Sequence, residues 1–166
     1  MRTAKVLVAG AGEAGKSTLI QALVPDAMNL AVQGRTIAMD HAMLECNGCR
    51  LSIVGVPGQE RFGDVRSVLA EGAQGVVWVH RGGSAIDSET VSLVRDLTNH
   101  EVPYLVVVNH ITGESGPHGW TRPVDLPSPT VIINCDLKSP GNALSILREA
   151  MQILIGGPAT FAGKGN

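Results

Sequence analysis

The stretch Gly10-Ala-Gly-Glu-Ala-Gly-Lys-Ser-Thr18 constrains this chain more than any other, because it follows the apolar run Val6-Leu-Val-Ala9 and leads into an apolar-periodic run from Lys16 to Leu23. Gly10-x-x-x-x-Gly15-Lys16-Ser17 is a full Walker A pattern, and a strand before it with a helix after it is the context that gives the pattern meaning. Glycines let backbone N–H groups curl around phosphate oxygens, while the helix N-terminus adds a favourable dipole. On this reading Gly10, Ala11, Gly12, Glu13, Ala14, Gly15, Lys16, Ser17 and Thr18 cradle a nucleotide. Lys16 bridges its β- and γ-phosphates and the Ser17 hydroxyl ligates magnesium.

Strand-like and helical runs alternate along the rest of the chain. Val6 to Ala9 and a helix from Lys16 to about Leu23 come first, then Ala42 to Cys46 and Arg50 to Val54 as strands around Asn47-Gly48, a strong hairpin signal. Gly75 to Val79 reads as a strand, Asp87 to about Asn99 as a helix with Ser84 or Asp87 as cap, Tyr104 to Val108 and Thr130 to Ile133 as strands, and Asn142 to Ile155 as a last helix. The order predicts an α/β P-loop NTPase: a doubly wound, mostly parallel sheet with one antiparallel strand and helices on both faces. Ile111 to Pro129, rich in Gly and Pro, reads as a long loop. The Gly156-Gly157-Pro158 break closes one domain at residue 155 and leaves 156–166 as a short disordered tail.

Composition narrows the partners. Hydrophobic residues make up 44% and charged residues 17% of the 166, with a net charge of −2. This balance suits one globular domain and offers no bulk charge for nucleic acid or membrane binding. Aromatic residues are only 3%, so the core must be aliphatic, as in buried parallel strands. No apolar run is long enough to span a bilayer and no signal or lipidation motif is present, which predicts a cytoplasmic protein, monomeric or weakly dimeric. Three cysteines argue against a disulfide framework. Cys46 and Cys49 flank the hairpin turn; a metal there would need help from His41 or Cys135.

Val56-Pro57-Gly58-Gln59-Glu60-Arg61-Phe62, together with the Walker A loop, resembles the Ras-like small GTPases, whose switch II reads Asp-x-x-Gly-Gln-Glu. The resemblance covers about residues 3 to 155. It is strongest to the bacterial gliding-motility (MglA-like) and actinomycete conservon types, which are similar in having a small residue or Thr in place of the switch II aspartate. It implies a six-stranded sheet, binding of GTP and GDP with Mg2+, slow hydrolysis, and partners that dock on the switch regions: a roadblock-type activating protein and an effector. Thr36 lies where such proteins carry the switch I threonine, which senses the γ-phosphate and helps hold magnesium. Gln59 would orient the attacking water beside Gly58, with Lys16 and the loop amides neutralising developing charge.

The chain departs from that pattern twice. Aligning Gly58 puts Gly55 where the magnesium-linked aspartate belongs, so Ser17, Thr36, phosphates and water would hold the ion. The guanine-reading Asn-Lys-x-Asp becomes Asn109-His110-Ile111-Thr112, and Thr112 lacks the carboxylate that accepts two bonds from the base. The resemblance places the last nucleotide loop at Asn134-Cys135-Asp136, where a backbone N–H meets the guanine oxygen.

Both departures keep open a non-hydrolysing, nucleotide-holding pseudo-GTPase. A P-loop ATPase or kinase needs an acid directly after a central strand, and neither Leu51 to Val54 nor Gly75 to Val79 supplies one. Trp78 reads as core, His80 and Arg81 as solvent-facing strand-end residues, Arg61 as part of a partner-facing surface, and Phe62 as a switch anchor or effector contact.

Overall fold

The structure is a computed structural model that describes residues 2–23, 28–32, 35–46, 49–57, 63–98, 102–110, 120–139, 141, 142, 145, 146 and 149. Its centre is β1 (Arg2–Ala9), which pairs in parallel with β4 (Cys49–Gly55) on one side and β5 (Gly75–Arg81) on the other. Beyond β5 lie β6 (Tyr104–Asn109) and β7 (Ile132–Cys135), both parallel, and beyond β4 lie β3 (Arg35–Cys46) and β2 (Met28–Val32). Because β3 runs antiparallel to both its neighbours, it alone opposes the sheet direction.

The doubly wound sheet with one antiparallel strand is therefore present, and β2 makes seven strands where the resemblance implied six. Five residues paired on one side only give little periodicity to read, which is why β2 was not legible. Cys46 and Cys49 close the β3–β4 pairing across a two-residue connection, as the Asn-Gly signal required.

Two apolar layers cover the sheet. Along β1, Ala4, Val6 and Val8 face the layer that holds Leu19 and Ile20 of α1 (Lys16–Leu23), while Leu7 and Ala9 face the other. The second layer holds Leu69 of α2 (Gly63–Ala70) and Leu93, Val94 and Leu97 of α3 (Ser88–Thr98). Helices on both faces explain why the central strands read as unbroken apolar runs.

Helix α3 begins where its cap predicts: Asp87 Oδ1 accepts from the Thr90 N–H at 2.6 Å. Thr90, Leu93, Val94 and Leu97 then form the buried stripe at helical spacing. Helix α2 escaped the sequence reading. It starts on a glycine, and Leu69 is buried while its neighbour Val68 is 40% exposed.

Both tryptophans and the one tyrosine of the chain gather under α3. Trp78 meets Trp120 edge-on with centroids 5.2 Å apart, and Tyr104 lies 6.5 Å from each. Trp120 and Leu126 pin the described part of the long connection to this layer, and Tyr104 Oη donates to the Pro127 carbonyl. No described residue from 120 to 131 is helix or strand. The strand expected at Thr130 starts two residues later, at Ile132, although Thr130 N–H already bonds Tyr104 O at 2.8 Å. Of the last helix, Ser145 N–H donates to Gly141 O at 3.1 Å and Ile146 is buried in the α1 layer; most of it, and the segment 156–166, lie outside the described residues.

Candidate functional site

β1 is where the sheet's connections diverge, α1 leading toward one edge and β5 to β7 toward the other. Ligands of such sheets bind at the carboxyl end of that position. The loop from Gly10 to Gly15 occupies it. Gly10, at φ +153°, lies so close to β5 that a Cβ would sit 2.3 Å from Val79 O. Gly15, at φ +113°, leaves a Cβ only 2.6 Å from Asn109 Nδ2. No other residue fits either place. Glu13 adopts φ +61°, a left-handed conformation that few side chains accept.

Lys16 opens α1 and turns back across the loop. Its Nζ donates to Gly10 O at 2.7 Å and to Val56 O at 3.4 Å. Val56 reaches that position because its N–H continues the β1–β4 ladder, donating to Val8 O at 2.8 Å. The ammonium is thus held over the concave side of the loop, where phosphate oxygens would meet both it and the backbone amides. Ser17 follows in the first helical turn and is exposed.

For magnesium, the Ser17 hydroxyl in the first turn of α1 is a fitting hard oxygen donor. Gly55 ends β4 without a carboxylate, and among the described residues no three His, Cys, Asp or Glu side chains converge. The donor set suits a hard ion that keeps most of its waters and takes its other ligands from phosphate. When bound it would neutralise phosphate charge. Thr36 lies in β3 opposite Ala31; Arg35, Thr36, Ile37 and Asp40 pair with β2, and the described pairing with β4 begins only at His41. Those pairs with β2 form a two-stranded ribbon continuing past the sheet edge at which the phosphate loop lies.

On the other flank, Asn109 ends β6 and is buried. Its Nδ2 donates to Ala14 O and its Oδ1 accepts from Leu137 N–H, each at 3.1 Å. One amide therefore ties the phosphate loop to the loop after β7, with both halves of its hydrogen-bonding capacity used. His110 N–H donates to Cys135 O at 2.8 Å, and its Nε2 lies 2.9 Å from Asn134 Oδ1. Asp136 shapes its own turn: Oδ1 accepts from Lys138 N–H at 2.9 Å and its carbonyl from Asn142 Nδ2 at 2.6 Å. Cys135 is half-buried, and burial pushes its thiol up, away from the thiolate.

The structure thus gathers the phosphate loop, Asn109, His110, Cys135 and Asp136 along one sheet edge. Gly58, Gln59, Arg61, Phe62 and Thr112 lie outside the described residues. One expectation is corrected: His80 is not solvent-facing but only 6% exposed, because it shares the face of β5 that carries Trp78 under α3. Arg81 is half-buried. Val56 and Leu137 were missed. Each contributes a backbone group, which no side-chain pattern announces.

A glycine-rich strand–loop–helix turn, a lysine folded over it and an asparagine tying it to the loop after β7 define a P-loop nucleotide-binding fold. Comparison with known proteins places it further: a family model described as 50S ribosome-binding GTPase matches residues 5–110, and the chain belongs to that family. An uncharacterised protein of Methanocaldococcus jannaschii is 28% identical over 105 residues, 63% of this chain and 68% of that one. Two solved structures share the fold. The G domain of the Thermotoga maritima FeoB iron transporter matches at TM-score 0.52 and 20% identity, over 65% of this chain and 72% of that one. A bacterial selenocysteine-specific elongation factor, EF-Sec, matches at TM-score 0.65 and 18% identity; 95% of this chain is covered, spanning 29% of the factor. No helix among the described residues is long and apolar enough to cross a membrane.

Proposed function

We propose that the chain is a small GTP-binding switch of the MglA-like kind, which hydrolyses GTP slowly and is accelerated by a roadblock-type activating protein. The observation that carries this reading is the clamp of Asn109 on Ala14, which joins the phosphate cradle to the base-side loop as one unit. Lys16 and the loop amides bind the phosphates, Ser17 and Thr36 hold magnesium with water, and Gln59 orients the attacking water. Closure of the segments around Thr36 and Gln59 on the γ-phosphate presents a surface to an effector protein. Gly55 supports a low intrinsic rate, since it leaves magnesium without a protein carboxylate. A net charge of −2 offers no bulk attraction for nucleic acid, which favours protein partners.

The same glycine and Thr112 favour a second reading, a scaffold that holds nucleotide without cleaving it. Identifying the nucleotide that co-purifies, then following single-turnover cleavage, separates the two. The switch reading expects guanine nucleotide and a measurable rate that Gln59→Leu lowers by at least about tenfold with little change in affinity. Equal rates for the two proteins would move the protein to the scaffold class.

A further inference from the structure

Cys46 and Cys49 have no part in nucleotide binding, yet the sheet sets them in a defined relation. They form the last of the described β3–β4 pairs, which run from His41 opposite Val54 to Cys46 opposite Cys49. Residues directly opposite in an antiparallel pair share one face of the sheet. Alternation along the two strands puts both cysteines on the face of Ala42 and Leu51, the α1 side. Opposed Cα atoms in such pairs lie about 4.5 to 5.5 Å apart, inside the range of about 4.4 to 6.8 Å that a disulfide spans. The register therefore suits a cross-link between these two positions.

The pair stands at the pole of the sheet away from the phosphate loop. Cys49 is level with Arg2, the first residue of β1, whereas the loop follows Ala9, the last. The third cysteine of the chain, Cys135, lies on β7, with β1, β5 and β6 between it and β4. Four strand spacings of about 4.8 Å put it about 19 Å away, and a disulfide cannot bridge Cα atoms more than about 7 Å apart. A metal finds no helper either. His41 is five residues back along β3, about 17 Å for an extended strand, and its Nε2 is engaged with Ser52 Oγ at 3.1 Å. Two cysteines alone supply half of a structural zinc site.

We propose that Cys46 and Cys49 are a reversible redox pair, which closes to an intrachain disulfide at the turn of the β3–β4 hairpin. The oxidant is a low-molecular-weight disulfide such as glutathione disulfide. One protein thiolate attacks it and expels a glutathione thiolate; the second protein thiolate then attacks the protein sulfur of the mixed disulfide and expels the other glutathione. The two protein thiols are oxidised, glutathione disulfide is reduced to two glutathiones, and the two thiol protons end on them. A loop that holds only residues 46–49 gains little chain entropy from the cross-link, so a reducing thiol pool can open it again. In a reducing compartment the dithiol is the resting form. Closure pins the hairpin at its turn, from which β3 runs unbroken back to Thr36.

The native full-length protein, reduced and desalted, is incubated with excess glutathione disulfide and followed by thiol titration, intact mass and peptide mapping. Two of the three thiols are expected to disappear, with the mass of two hydrogen atoms lost, Cys46 cross-linked to Cys49, and both thiols regained with dithiothreitol. Cys46→Ser and Cys49→Ser are each expected to stop at the glutathione adduct, while Cys135→Ser still closes the bond. The oxidised protein is expected to unfold at a urea midpoint at or above that of the reduced one, because the folded register already holds the two positions together. Oxidation that occurs only in urea, a cross-link to Cys135 or between chains, a glutathione adduct that persists at Cys46 or Cys49 in the wild type, or a lower urea midpoint after oxidation would each overturn the proposal.

Discussion

Asn109 Nδ2 lies 3.1 Å from Ala14 O, a contact between residues far apart in sequence that joins the end of β6 to the middle of the phosphate loop. With Leu137 N–H on its other amide atom, Asn109 is a brace for three segments at once. Asn109→Ala removes two hydrogen bonds and leaves the Ala14 carbonyl and Leu137 N–H facing a buried gap. Stability should fall by about 2 to 4 kcal/mol, read as a shifted urea midpoint at constant slope. Nucleotide affinity should fall with it, because the loop loses its support. A midpoint unchanged within error would mean that neither bond contributes.

Glu13 is the one described non-glycine residue at positive φ, and it carries a negative charge on a loop built for anions. Two substitutions separate conformation from charge. Glu13→Gln keeps the left-handed backbone and removes the repulsion, so nucleotide should bind roughly two- to fivefold tighter at low salt, with the gain fading above about 0.15 M as screening takes over. Glu13→Gly relieves strain of about 1 kcal/mol but adds unfolded-state entropy of similar size, leaving stability nearly unchanged. Binding titrations at two ionic strengths check the first, and chemical denaturation checks the second. A salt-independent gain would show that charge is not the cause.

The regions that could be read from sequence were those whose signal is local. The Walker A loop, the Asp87 cap, the Asn-Gly hairpin and the apolar runs of β1, β5 and β6 each follow from a few adjacent side chains, and each is in place. The regions that could not be read depend on distant partners. β2 is a strand because β3 pairs with it, and α2 packs Leu69 and Ala70 against a layer built by distant strands and α3. Leu137 and Val56 act through backbone atoms that any residue would supply. His80 was misjudged because its burial is set by α3 passing over the end of β5, a packing that the flanking residues Gly82 and Gly83 do not encode.

Burial depresses the His80 pKa below the ordinary histidine value of 6.5, while the Ser84 backbone and Asp87 act in the opposite direction. The native state therefore holds the ring neutral where the unfolded chain is already protonated. His41, bonded to Ser52 Oγ at 3.1 Å, is also lowered by burial. Stability should be full above about pH 7 and fall as pH drops below 6.5, with a slope of at most about 1.4 kcal/mol per pH unit for each group. His80→Gln should flatten part of that slope, measured as the melting temperature between pH 7.5 and 5. An equally steep profile in the variant would assign the dependence to other groups.

The last expectation concerns which base is read. In the GTPases this chain resembles, a carboxylate three residues after the clamp asparagine accepts two N–H bonds from guanine, each worth about 1.5 to 3 kcal/mol as a bond to a charged group. Thr112 stands there instead, and its hydroxyl can accept one bond, more weakly. GTP should accordingly bind about two to four powers of ten less tightly than is usual for such switches, at 1.4 kcal/mol per factor of ten. Selectivity should shrink without vanishing. A backbone N–H in the loop around Asp136, braced by Asn109 and Asn142, would donate to the guanine oxygen but oppose the amino group of adenine, which favours GTP over ATP by about tenfold. Thr112→Asp restores the second acceptor and the charge, and should both tighten GTP and sharpen its preference. Calorimetric titration of both proteins with both nucleotides decides the matter: ATP binding as well as GTP in the wild type, or no gain for GTP in the variant, would show that the base is recognised by something other than this loop.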